Sequence, residues 1–199
     1  IGPAADPSVE TASFRTALGA QEHFIAVHVP PGLSFIQSLA ELHRRYGEAM
    51  KSCGLSAETQ VFSRYHVSDV ASQQPLLGLS RVFETTREGA FSVVEQSPID
   101  GSSIALFAYH VVCPGVPPVR SRYVYPGAGD RNGLRLEGRN YSLFWAGNLA
   151  VNTRPDTYGQ TLDLLHSYNR ILKCNRMELS RHTVRTWLYV KDLSAAYPD

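Results

Sequence analysis

A repeated pattern with a spacing of 123 residues constrains the fold of this 199-residue sequence more than any other feature. Gln37-Ser38-Leu39 is matched by Gln160-Thr161-Leu162, and the matches continue downstream in the same order. The further pairs are Leu42 and Leu165, His43 and His166, Val61 and Val184, Val67 and Val190, and Asp69 and Asp192. An ordered set of matches at one spacing indicates that a structural unit is duplicated.

The first copy has the pattern of an α+β unit. Apolar residues at 39, 42, 46, 49, 50 and 53 form the stripe of an amphipathic helix, with Ser34 as its N-cap and Gly54 as its stop. A second helix is predicted from Pro75 to just before Gly89. Extended runs predict strands over 13–17, 23–29, 59–67, 91–95 and 103–111. We therefore predict a unit over 13–112 in which two helices cover a mixed sheet.

The second copy follows a linker over 113–118, which is rich in proline and glycine. Strands are predicted over 123–125, 134–137, 141–146 and 183–190, and a helix over 158–174. The second unit, 119–199, thus lacks counterparts of the second helix and the closing strands of the first. An open half-sheet is unstable by itself. We expect either that the sequence is a fragment or that another chain supplies the missing cover.

Composition narrows the classes of function. The net charge is +1, from 19 basic and 18 acidic residues, and no basic stretch stands out, so we expect no nucleic-acid partner. No apolar run approaches the roughly 20 residues of a membrane span. The three cysteines, an odd and widely spaced set, favour a reducing, cytoplasmic location. His43 and His166 have no ligand-type residue four positions on, so we expect no metal and no cofactor.

Three segments of the second copy carry a family resemblance. The run 184–193 resembles the V-[KR]-T-x-x-[FY]-V-x-D-[LM] strand of the RidA (YjgF-like) superfamily, whose members also carry the labels endoribonuclease and translation inhibitor. The run 144–152 resembles the S-G-Q-[IL]-P strand of that superfamily, and Gln160-Thr161-Leu162 its Q-T-x-x-x-[LI] helix. The resemblance implies a chorismate-mutase-like α+β fold, a trimer around a barrel-like core, and hydrolysis of enamines or imines to ketones and ammonia. The tandem arrangement also resembles the chorismatases, which hydrolyse chorismate without a metal.

The resemblance also implies where a site would lie. Trp145, Gly147 and Asn148 stand where the family lines its ligand cleft, and Tyr123 or Tyr125 corresponds to an aromatic residue that faces the cleft. In the first unit, the arginine of the family's P-A-R-S motif falls at position 91 and its acidic residue at position 107, and both are phenylalanine here. Neither side chain binds a carboxylate or accepts a proton. We therefore expect the first unit to be inactive, with both rings filling the vacated pocket, and the catalytic residues of the second unit stay unknown.

Three hypotheses about function follow. In the first, the protein binds a small carboxylate-bearing metabolite in a cleft between units and hydrolyses an enamine or imine when intact. In the second, it is a non-catalytic ligand-binding or assembly module, a homo-oligomer in which fused units replace the subunits of a trimer or form a pseudo-trimer. In the third, motivated by the tandem architecture, it is a chorismatase-like hydrolase.

Overall fold

A computed structural model describes residues 8–17, 19–113, 115, 118–123, 133–139, 141–150 and 154–190. The chain divides into two compact units, Ile1–Asn148 and Leu149–Asp199. Half of the predicted linker, residues 114, 116 and 117, lies outside the described residues. The boundary between the two compact units, after Asn148, lies later in the sequence than the predicted linker. The reason is that the strands that follow the linker associate with the first sheet. The repeat boundaries at 13–112 and 119–199 stay predictions.

The first unit is built on a five-stranded mixed sheet with the order β1-β2-β5-β3-β4. Only β3 and β4 run parallel; the other neighbours are antiparallel. The strands are β1 (Val9–Arg15), β2 (Gln21–His28), β3 (Gln60–Val67), β4 (Ala90–Glu95) and β5 (Ile104–Val112). The helices are α1 (Phe35–Ser52), α2 (Val70–Gly78) and α3 (Arg81–Thr86), and a 3-10 turn spans Ala57–Thr59. The α+β class predicted from the sequence is confirmed.

Helix α1 begins and ends where the sequence predicts. The Ser34 backbone N–H donates to Gln37 Oε1 at 3.0 Å, the Gln37 N–H donates to Ser34 Oγ, and together they form a capping box. Gly54 follows the helix with φ of +67°, a left-handed conformation that glycine adopts without steric cost. The apolar stripe of α1 packs against one face of the sheet, which we call the helix face; Tyr46 and Leu42 are fully buried there.

The bounds predicted for the second helix are wrong. It is two helices, and the first begins five residues before Pro75, because the Asp69 carboxylate accepts a hydrogen bond from the Ala71 N–H at 3.0 Å and caps that turn. The second helix, α3, has its own cap, since Ser80 Oγ accepts from the Phe83 N–H.

The strands beyond the linker form a second sheet, β6-β7-β8, with antiparallel pairing throughout. They are β6 (Val119–Tyr123), β7 (Gly133–Glu137) and β8 (Ser142–Ala146). Leu134 and Leu136 of β7 are each 1% exposed and pack with Val61, Ala90 and Val111 of the first sheet. The second sheet therefore packs on the first sheet at the face away from the helices, which we call the outer face.

The second compact unit contains α4 (Thr157–Cys174) and the short helix α5 (Leu179–His182). The strand predicted over 183–190 is wrong for this structure: the segment forms no strand, and Val184 is 97% exposed. The sequence pattern pairs this segment with β3, which lies between β5 and β4 in the first sheet. A strand needs such neighbours for its backbone N–H and C=O groups, and the described residues supply none to 183–190.

Candidate functional site on the outer face of the first sheet

Three of the four residues predicted to bind a ligand lie together at the end of β8. Trp145 is half-buried and its ring meets that of Tyr109 edge-on, with centroids 5.8 Å apart. Gly147 and Asn148 follow directly and lie against β4. The fourth, Tyr123, is the last residue of β6, paired with Gly133, and its side chain lies outside the described residues.

Glycine is required at position 147 for a close approach between backbones. A Cβ at Gly147 would collide with the carbonyl oxygen of Phe91. Asn148 then takes φ of +53°, and its N–H donates to Ser92 Oγ at 3.0 Å. Its side-chain Oδ1 accepts from the Val93 N–H at 3.4 Å. The sequence predicts a close approach at Gly147 to a ligand; the structure has one to strand β4, and the ligand-binding role of these residues stays a prediction.

The two phenylalanines that replace the family's charged residues lie on opposite faces of the sheet. Phe91 is half-buried on the helix face, where its ring meets Phe83 edge-on at 4.9 Å. Phe107 is half-buried on the outer face, 6.0 Å from the ring of Phe24. Both rings pack against a neighbouring ring, but neither is fully buried, so they fill their surroundings less completely than the sequence predicts.

A buried arginine on the outer face is missed by the sequence analysis. Arg64 of β3 is 6% exposed, and its guanidinium carbon lies 5.4 Å from the centroid of the Phe62 ring. In register, it stands between Ser92 of β4 and Phe107 of β5. The sequence does contain a signal for the position of Arg64. Side chains alternate between the two faces of a strand, so Arg64 shares one face of β3 with residues 62 and 66, and the apolar residues 65 and 67 lie on the other face. An arginine inside such a strand is rare unless it has a specific environment.

The charge of Arg64 affects its neighbour on the strand. The pKa of His66 is lowered, first by burial and then by the positive charges of Arg64 and His28. His66 is therefore neutral at pH 7, whereas the guanidinium of Arg64 stays charged.

A row of aromatic rings extends across the outer face from the edge strand β1. Phe14, Phe24 and Tyr109 are stacked, with centroids 5.9 Å and then 4.7 Å apart. The Tyr109 hydroxyl donates to a carboxylate oxygen of Glu22, and burial, followed by this carboxylate, raises the pKa of Tyr109. The tyrosine is thus a hydrogen-bond donor at all physiological pH values. The outer face offers flat aromatic surface on one side of Arg64 and hydrogen-bonding groups on the other.

Other types of site find little support in the part of the chain that the structure describes. No group of three or more histidine, cysteine, aspartate or glutamate side chains there is arranged to hold a metal ion. None of the helices within the described ranges has the length and apolar character needed to traverse a bilayer.

The sheets and helices of this chain form a fold that is found among known proteins. A crystal structure of chorismatase matches 91% of this chain with a TM-score of 0.52 at 17% sequence identity, which establishes a shared fold. The chain spans 60% of the length of that chorismatase. A putative translation initiation inhibitor from Salmonella typhimurium matches 53% of this chain at 9% identity, and its TM-score of 0.32 is too low to define a shared fold. No family model and no curated protein matches the sequence.

Proposed function

We propose that the protein binds a small carboxylate-bearing metabolite on the outer face of the first sheet, beside the end of β8. The observation that carries this proposal is the position of Arg64, a permanently charged guanidinium that the fold keeps almost entirely out of water. Burying a charge costs free energy unless the charge is paired or hydrogen-bonded, and a small acid at the adjoining surface would add such an interaction. The field of a buried cation is also less screened than that of an exposed one, so it attracts an anion at the adjoining surface.

The groups around Arg64 fit a small acid better than a large polyanion. Ser92 is the register partner of Arg64 and accepts a hydrogen bond from the Asn148 N–H, and neither Ser92 nor Asn148 is fully buried. Phe107, in register on the other side, supplies apolar contact area. One cation, a few hydrogen-bonding groups and an aromatic wall are the usual composition of a small-molecule site. The predicted residues Trp145, Gly147 and Asn148 come from the second repeat, so the site would combine both repeats.

We also propose the duplication itself. The order β1, β2, α1 and a 3-10 turn in the first part is paralleled by β7, β8, α4 and α5 in the second, and α1 and α4 are each 18 residues long. The parallel order supports the tandem units predicted from the sequence. Assembly as a trimer, or as a pseudo-trimer of fused units, is part of the same proposal, and the oligomeric mass in solution tests it.

The binding proposal is tested with a matched pair of ligands. Chorismate and benzoate are titrated against the full chain by thermal shift, with benzamide as the uncharged counterpart of benzoate. We expect the acids, and not the amide, to raise Tm, because a ligand that binds only the folded state stabilises it. Arg64→Lys keeps the charge but loses the planar fork and should weaken the shift. Arg81→Lys, an exposed arginine at the start of α3, is the control. No shift with either acid would refute the proposal.

A second candidate function is hydrolysis of chorismate, which the likeness to a chorismatase over 91% of this chain favours. Phe91 and Phe107 leave the first unit without the charged residues of the deaminase pattern, so catalysis would depend on the second unit. Incubation of the protein with chorismate and detection of pyruvate tests this function. Release of ammonia from freshly generated 2-aminoacrylate tests the deaminase alternative. Binding without either product would favour the non-catalytic module.

A further inference from the structure

A cavity of about 240 Å³ opens on the helix face of the first sheet, on the side away from Arg64. Its walls are formed by β1, β2 and the residue that follows α1; the lining residues are Thr11, Ala12, Ser13, His23 and Cys53. None of these side chains is charged at pH 7, provided that the histidine is neutral. The cavity is larger than the roughly 150 Å³ that holds a benzene molecule in an engineered protein core.

His23 has no hydrogen-bonding partner among the described residues, although only 8% of its surface is exposed. Its neighbour across the strands, His110, uses both of its own ring nitrogens, on Tyr46 and Thr59. Burial lowers the pKa of His23, so its ring is neutral at pH 7 and carries one lone pair. Because His23 lines the cavity, a hydrogen-bonding group that enters the cavity can contact its ring.

Cys53 is half-buried and is the C-cap residue of α1. The carboxyl end of a helix carries a partial negative charge, which repels anions. None of the described residues that line the cavity has a cationic side chain to offset that charge. A thiol must lose its proton to react as a nucleophile, and His23 is the basic group in the same cavity. An uncharged reagent enters this environment at a lower cost than an anion.

We propose that Cys53 and His23 form a modification site for small uncharged electrophiles of the α,β-unsaturated carbonyl class. The imidazole of His23 removes the thiol proton as the sulfur forms a bond to the β-carbon. The electron pair of the carbon–carbon double bond moves to the α-carbon, which takes the proton back from the imidazolium. The product is a thioether, every atom is accounted for, and no oxidant or reductant is required. This site lies apart from the outer face and does not rest on the proposed function.

The test compares a neutral and an anionic alkylating agent of similar size, iodoacetamide and iodoacetate. In both, the sulfur–carbon bond forms as iodide leaves and the thiol proton passes to the base. Cys174, which is exposed at the end of α4, is the reference within the same molecule. Labelling is followed site by site by mass spectrometry near neutral pH. We expect the ratio of Cys53 to Cys174 labelling to be clearly higher for iodoacetamide than for iodoacetate.

His23→Gln should slow iodoacetamide labelling of Cys53 by about tenfold or more, because a positioned base contributes roughly 10²- to 10⁴-fold in rate. The rate at Cys174 should not change. Ser13→Leu, on the exposed edge strand opposite His23, should fill the cavity and slow Cys53 in the same way without removing the base. Cys113, held by the Tyr141 hydroxyl at 2.7 Å, reports loss of structure through faster labelling.

Three results would overturn the proposal. The first is a Cys53 rate that His23→Gln leaves unchanged relative to Cys174. The second is a ratio of Cys53 to Cys174 labelling that is the same for iodoacetamide and for iodoacetate. The third is a Ser13→Leu variant that retains the Cys113 rate of the wild type and still labels at Cys53 at the wild-type rate.

Discussion

His110 makes the stability of the first unit depend on pH in a defined range. It is fully buried in β5, with its Nε2 atom 2.9 Å from the Tyr46 hydroxyl and its Nδ1 atom 2.9 Å from the Thr59 hydroxyl. Burial, followed by the positive charges of His23 and Arg120, lowers its pKa to about 4. The folded protein therefore contains a neutral ring that the unfolded chain would protonate at an ordinary pKa of 6.5.

The sign and size of the effect follow from that difference. A group with a depressed pKa in the folded state contributes its full stability above the unfolded value of 6.5, and this contribution is lost as the pH falls to about 4. In this range the unfolded state binds more protons, so stability rises with pH. One pKa unit corresponds to about 1.4 kcal/mol, which makes the total for His110 about 3 kcal/mol.

The assay is urea unfolding of the wild type and of His110→Gln at about pH 7 and about pH 4.5. The glutamine amide keeps a hydrogen-bonding group but does not titrate. At about pH 7 the variant should be the less stable protein, and this deficit should shrink by about 2–3 kcal/mol at the lower pH. Taking the difference between the two proteins cancels the other carboxyl and histidine groups. A deficit that stays constant between the two pH values would refute the reasoning.

Three further predictions concern other parts of the chain. Gly147→Ala should lower Tm, because the added Cβ would collide with the backbone of Phe91. Gly47→Ala lies in open space on α1 and should raise the free energy of unfolding by about 0.5–1 kcal/mol. Thermal unfolding of the two variants compares these effects directly. Leu134→Ala should cost about 2–5 kcal/mol in chemical denaturation, since that side chain is 1% exposed between the two sheets. Hydrogen bonds to two arginines lower the pKa of Glu41 to about 2. Glu41 should therefore contribute stability that is lost as the pH falls below 4.5, the ordinary pKa of a glutamate, towards 2. Glu41→Gln should remove this acid dependence from the unfolding free energy, and high salt should weaken it.

The parts of the fold that the sequence predicts are those decided by local chemistry. Ser34 and Gly54 mark the ends of α1 because capping and a left-handed stop depend on a few adjacent residues. Strands β2 to β5 are predicted close to their bounds for the same reason, since their alternation is local, whereas β1 begins at Val9, four residues before its predicted start. The segment 183–190 has an equally clear strand pattern and still forms no strand, because pairing depends on neighbours elsewhere in the chain.

The candidate site is only partly predictable. Trp145, Gly147 and Asn148 are found through motifs, and the structure brings them together. Arg64 carries no motif, and its importance arises from burial and from the register that sets it beside Ser92, neither of which a single strand encodes. A sequence pattern gives least information about contacts between strands that are far apart in the sequence.

The position of β5 between β2 and β3 has a consequence for synthesis on the ribosome. β3 ends at Val67 and its central partner begins at Ile104, 37 residues later. At about 5–20 residues per second, β3 waits roughly 2–7 s for its main neighbour to be made. During that interval α1 can form from local hydrogen bonds and β4 can pair with one edge of β3, but the edge of β3 that pairs with β5 stays open. The nascent chain is therefore most exposed to misassociation and chaperone binding in the middle of the first unit, and synthesis of β5 ends that period.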